Sequence, residues 1–124
     1  MRVKIDTKEI FHVISIEEEK LTAIMAEELE ELVKNELETF NKSLTLDASN
    51  VHEIDHEIID LLNKLHQMIY AKERSFVICS IRPDVKSQFE SSGVIESLNI
   101  TPTESEAWDI VQMEEIEREL GKDF

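Results

Sequence analysis

The chain of 124 residues is 41% apolar and 33% charged, an ordinary globular balance, and its 13 Lys and Arg against 28 Asp and Glu leave a formal charge of −15. So acidic a surface repels phosphate backbones and anionic lipid, which argues against nucleic-acid and membrane-surface binding. The single cysteine, Cys79, excludes an internal disulfide and a multi-cysteine zinc site, and two glycines, Gly93 and Gly121, are too few for a phosphate-cradling loop.

Residues 2–6 alternate in polarity, and after the turn-like Thr7-Lys8-Glu9 a run rich in Ile and Val extends from Ile10 to Ile16, so a two-stranded hairpin is expected. From Thr22 to Phe40 the period changes. Met25, Leu29, Leu32, Val33 and Phe40 share one face of an amphipathic helix for which Thr22 is the expected N-cap. A short strand follows over Ser43–Ala48. Asp55 suits the N-cap of a second, broadly apolar helix carrying Ile58, Ile59, Leu61, Leu62, Leu65, Met68 and Ile69.

Phe76 to Ile81 is almost continuously apolar, as a central strand covered on both faces requires. Pro83 opens a short helix over 83–92 that Gly93 terminates, Val94 to Thr101 reads as an edge strand, and Thr103 with Glu106 has the capping-box spacing that starts a last helix. The order is ββαβαβαβα: an α/β fold with a mixed four- to five-stranded sheet and about four helices. One domain that needs no staple, soluble and cytoplasmic, is the expectation, since no apolar run approaches a signal segment or a membrane span.

His52-Glu53-Ile54-Asp55-His56 matches H-E-x-x-H, the pattern in which two imidazoles one helical turn apart hold zinc and the glutamate serves as base. That chemistry needs both histidines on one helix. Here the helix is expected to start at Asp55, leaving His52 in the preceding loop, so a metal-dependent hydrolase is the weaker alternative and no metal or cofactor is expected. Cys79 lies inside the most apolar strand, where a thiol is inert, and no histidine follows Ser91 or Ser92 to activate them. His12 is expected on the sheet surface and His66 beside the second helix's interface. No residue is assigned a catalytic role. In the last helix, Met113, Ile116 and Leu120 form a strip that outlasts what a small sheet needs, which suggests either a partner or a weak homodimer or scaffold contact; the alternative is that Trp108, Ile110 and Val111 pack on the sheet and the end frays.

Three stretches taken together resemble a known family: Leu44 to Val51 leading into Ile54-Asp55, Ser75 to Ser80 with Arg82-Pro83-Asp84-Val85, and Phe89-Glu90-Ser91-Ser92-Gly93. They are similar to the STAS domains of bacterial anti-sigma-factor antagonists, in which a strand ending hydrophobic-D-hydrophobic-S precedes a D-S-S-G-hydrophobic loop, and an F-x-x-S-G-hydrophobic turn comes later. Thr103-Glu104-Ser105-Glu106-Ala107 resembles the family's last-helix start. The resemblance implies one STAS-like domain over 1–124, with 113–124 as a C-terminal helix extension.

It further implies a non-enzymatic regulator of transcription that works by partner switching, with an anti-sigma factor or a serine kinase of the GHKL type as partner. Asn50, Asp55, His56, Glu57 and Ile58 would form the partner-binding surface. Where the family carries its phosphorylatable serine this sequence has His56, with Glu57 at the next serine position and Ile58 at the glycine. Two expectations remain open: a constitutive mimic of the phosphorylated form, since Glu57 places a permanent negative charge at the helix start, or a module that docks partners without a phosphoswitch.

Overall fold

The computed structural model describes residues 1–121. In chain order these form β1 (Val3–Thr7), β2 (Phe11–Ile16), β3 (Lys20–Leu21), α1 (Ala26–Phe40), β4 (Ser43–Asp47), β5 (Glu53–Ile54), α2 (His56–Ala71), β6 (Phe76–Cys79), α3 (Pro83–Ser92), β7 (Ile100–Thr101) and α4 (Glu104–Gly121), with single 3-10 turns at Ala23–Met25 and Ile95–Ser97. The main sheet runs β1-β2-β4-β6-β7. Only the β1–β2 pair is antiparallel, with Val3 opposite Ile16 and Thr7 opposite His12; the other pairs are parallel.

Alternation along the strands divides the core in two. Ile14, Ile16, Leu44, Leu46, Phe76 and Ile78 face α1, α2 and α3 and meet Leu29, Val33, Ile58, Leu62, Leu65, Val85 and Phe89. The intervening residues Phe11, Val13, Val77 and Cys79 face the other way, against Ala107 and Val111 of α4. Both layers exclude water. β6 is therefore apolar at every position because helices cover both of its faces, as the run from Phe76 implies, but it ends at Cys79 and not at Ile81, because Ser80 turns the chain at φ +62°. Each fully buried Leu, Ile or Phe contributes about 1.5–3 kcal/mol relative to an exposed one.

Several local expectations are corrected. Residues 94–101 are not one edge strand: Val94 leads into the 3-10 turn, whose Ser97 hydroxyl bonds Asn63 Oδ1 (2.8 Å), and the strand that pairs with β6 is only Ile100–Thr101, with Asn99 O accepting the Ile78 N–H (2.9 Å) at its start. Thr22 caps nothing with its side chain, and a 3-10 turn precedes α1. His12 is buried, 1% exposed, because α1 covers that face of β2; Nδ1 lies 3.1 Å from Glu36 Oε2 and the ring packs on Phe40 at 4.6 Å. The parallel pair β3–β5 lies outside the sequence expectation altogether. Thr103 does open α4: its hydroxyl accepts the Glu106 N–H at 3.2 Å.

Candidate functional site

The parallel strands end along one edge of the sheet, and the β4–α2 loop is built there. Asp47 Oδ1 accepts the Ser49 N–H (2.9 Å), turning the chain at Ser49-Asn50, and Val51 then plugs into the core with no exposure. Beyond it the loop is stitched to the segment before α1. The His52 and Glu53 N–H groups both donate to Glu19 O (2.7 and 3.2 Å), Glu53 and Ile54 pair with Lys20 and Leu21, and Asp55 N–H donates to Leu21 O (2.8 Å).

Asp55 completes this joint. It occupies the N-cap position of α2 with extended backbone, yet its carboxylate makes no bond to its own helix. Instead Oδ2 accepts the Ala23 N–H at 2.8 Å, and the first α2 amides with partners, those of Ile58 and Ile59, are satisfied by Asp55 O at 3.0 and 3.3 Å. The carboxylate thus fixes the 3-10 turn beside the head of α2. Ile24, the middle residue of that turn, is 93% exposed, far more than any other large apolar side chain among the described residues.

Of the residues expected to face a partner, Asn50, Asp55, His56 and Glu57 lie exposed around this joint. Ile58 does not. It is fully buried, since the third position of α2 points into the core, so it supports the surface rather than forming it. His56 is the first residue of α2, with Nε2 3.2 Å from Asp60 Oδ2 one turn on. A groove of about 380 Å³ runs from His56, Ile54 and Ile59 to Ser87, Gln88, Ser91 and Ser92 of α3. The hydroxyls of Ser87, Ser91 and Ser92 are spent on the carbonyls of Pro83, Ser87 and Phe89. Ile24 escaped the sequence reading because it lies off the apolar face of the helix expected there; its exposure follows from the joint, which no local pattern encodes.

The H-E-x-x-H residues do not share a helix. His52 precedes β5, Glu53 lies in β5 and His56 opens α2, so the imidazoles are not presented from one helical face. Among the described residues no group of three or more His, Cys, Asp or Glu is placed to hold a metal ion. Cys79 is fully buried, and burial pushes its thiol up to about 11. His66 is half-buried against Tyr70 (4.4 Å between rings) and Phe76; burial lowers its pKa, opposed by Glu114.

Comparison with known proteins agrees with this architecture. A search of curated protein sequences finds no match. Among solved structures, an anti-sigma factor antagonist from Mycobacterium paratuberculosis superposes with a TM-score of 0.79 at 17% identity, covering 90% of this chain and 93% of its own. The anti-sigma factor antagonist SpoIIAA in its unphosphorylated form gives 0.71 at 16% identity, covering 90% and 96%. The murine Slc26a9 anion transporter gives 0.73 at 17% identity over 87% of this chain, although only 18% of the transporter is covered. No described helix of the present chain is long and apolar enough to cross a membrane. The STAS domain model matches residues 3–107, from β1 to the first turn of α4, and the chain belongs to the STAS domain family.

Proposed function

We propose that this STAS domain is a non-catalytic, cytoplasmic regulator that binds a protein partner through the joint between the 17–25 segment and the head of α2. The partner class is an anti-sigma factor or a serine kinase of the GHKL type, by likeness to the antagonists of the same fold. One observation carries the reading: the Asp55 carboxylate holds Ala23, and a nearly bare Ile24 stands beside exposed Asp55, His56 and Glu57. An apolar anchor ringed by polar and charged groups is the anatomy of a protein-binding hot spot.

The mechanism is one of presentation. Asp55 and the β3–β5 pair fix the anchor, the buried Ile58 fixes the helix, and a partner reads the rim. Residues 51–60 contain no Ser, Thr or Tyr, so the head of α2 offers no hydroxyl acceptor, and the one hydroxyl in the β4–α2 loop is that of Ser49, at its start. Glu57 supplies its negative charge permanently in the first turn of α2, where the helix dipole favours it.

The test is quantitative affinity capture with the intact chain against its Ile24→Asp and Asn50→Ala variants, followed by binding measurements on the purified hit. A specific partner lost with both variants supports the reading; identical capture by all three sinks it. One tightly held zinc per chain by elemental analysis would revive the hydrolase alternative.

A further inference from the structure

α4 has two apolar sides. Ala107 and Val111 are buried on the sheet, and farther along Glu114, Glu115 and Arg118 turn to the same side, bonding Tyr70 Oη, Ser43 Oγ and Ser75 Oγ at 2.6, 2.7 and 2.8 Å. The helix is therefore fastened along its length, to the sheet and then to the residues where β4 and β6 begin. On its far side Met113, Ile116 and Leu120 are 60%, 52% and 54% exposed, although they recur at the three- and four-residue spacing of a buried stripe. A shallow groove of about 550 Å³ lies along them, lined by Asp109, Gln112, Met113, Ile116 and Glu117. These residues lie beyond the span matched by the family model.

We infer that this strip docks a basic amphipathic helix of another protein. The charge pattern selects that occupant. Asp109 and Glu117 line the groove and Glu106 and Glu119 lie exposed on the same helix, while the only basic residue in the described part of α4, Arg118, is turned inward onto Ser75 and Glu115. Among the described residues no cation pairs with Asp109 or Glu117, so the carboxylates are available to an incoming one. A second copy fits poorly: antiparallel pairing along the strip would set Asp109 of one chain near Glu117 of the other, between molecules that each carry −15. The anchors span residues 113–120, about 10 Å of helix axis, matching two turns of a partner helix with apolar residues at the same spacing. Lysines or arginines flanking those residues would meet the carboxylates on the rim. Because α4 and α2 lie on opposite faces of the sheet, the proposal is independent of the function proposed above.

The probe is a pair of synthetic amphipathic helical peptides with one leucine face, flanked by lysines in one and by glutamates in the other, titrated into the intact chain by fluorescence anisotropy. The lysine peptide is expected to bind and the glutamate peptide not to. Met113→Ser with Ile116→Ser, which leaves the charge unchanged, should weaken binding at least roughly tenfold, and Asp109→Asn with Glu117→Gln should weaken it and flatten its salt dependence. All four side chains are exposed, and circular dichroism verifies that the variants fold. An Asp55→Ala control should bind the lysine peptide unchanged. Equal binding of both peptides, no binding of the lysine peptide, or indifference to the Met113/Ile116 pair would overturn the proposal. So would sedimentation showing that the free chain self-associates through this strip.

Discussion

The carboxylate of Asp55 serves a backbone amide 32 residues earlier in the chain. Asp55→Ala leaves the Ala23 N–H without its acceptor at an exposed joint, so a loss of about 1 kcal/mol is expected by urea denaturation, with a much larger loss of affinity for any partner that reads Ile24. A stability loss with unchanged partner affinity would separate the fold from the site. Gly93 makes a different residue-scale case. It ends α3 at φ +80°, and a Cβ there would meet no atom within 4 Å, so Gly93→Ala costs only the left-handed backbone strain, about 1 kcal/mol net, with Gly93→Asn costing less. Denaturant midpoints of the two variants check that ranking. Both positions were legible in the sequence, because cap preferences are local. The service Asp55 performs was not, because the carboxylate's partner is chosen by tertiary proximity. His12 failed for the same reason: polarity argued for the surface, whereas α1 covers that position of β2 and Glu36 answers its Nδ1.

Elements were legible in proportion to their length. α1, α2 and α4 repeat their apolar spacing over several turns, and β6 is apolar throughout, so each could be placed on the sheet before any coordinates. Two-residue strands have no period to detect, which hid β3 and β5, and the β-branched residues between 94 and 101 disguised a 3-10 turn. At this scale α4 is held by a polar cluster with one useful reporter. Tyr70 donates to Glu114 Oε1 (2.6 Å) and accepts from Asn99 Nδ2, while Arg118 lies 5.9 Å from its ring centre. Burial first, and then the Glu114 bond and charge, push the phenol up to about 12. Tyr70 is the only tyrosine, so alkaline difference absorbance reads it alone. Glu114→Gln should bring the midpoint down toward the ordinary value of 10.0, because the carboxylate disfavours the phenolate. An unmoved midpoint would mean that burial alone sets it.

For the whole molecule, His66 links stability to pH. Burial lowers its pKa below 6.5 in the folded chain, so the unfolded chain binds the proton more tightly. The contribution is complete above 6.5 and is lost as pH falls through the lowered folded value. Denaturant midpoints should therefore decline on acidification below 6.5, and less steeply in His66→Gln; parallel slopes for the two proteins would exclude His66 as the cause. The overall plan, alternating strands and helices under a heavily acidic surface, was readable because it depends on periods and charge totals rather than on particular contacts. The β3–β5 pair carries a consequence for dynamics. It closes a path of some thirty residues with two paired residues on each strand, a carboxylate, a few backbone bonds and only three core side chains, Leu21, Val51 and Ile54, whereas the helices beneath it are anchored by full layers of apolar side chains. The joint is thus cheaper to open than the central sheet, and the amides of Ala23, His52 and Asp55 should exchange with deuterium through local fluctuations well before those of β6. A ligand that clamps both segments would slow those amides selectively, and its affinity would carry the entropy cost of quieting them.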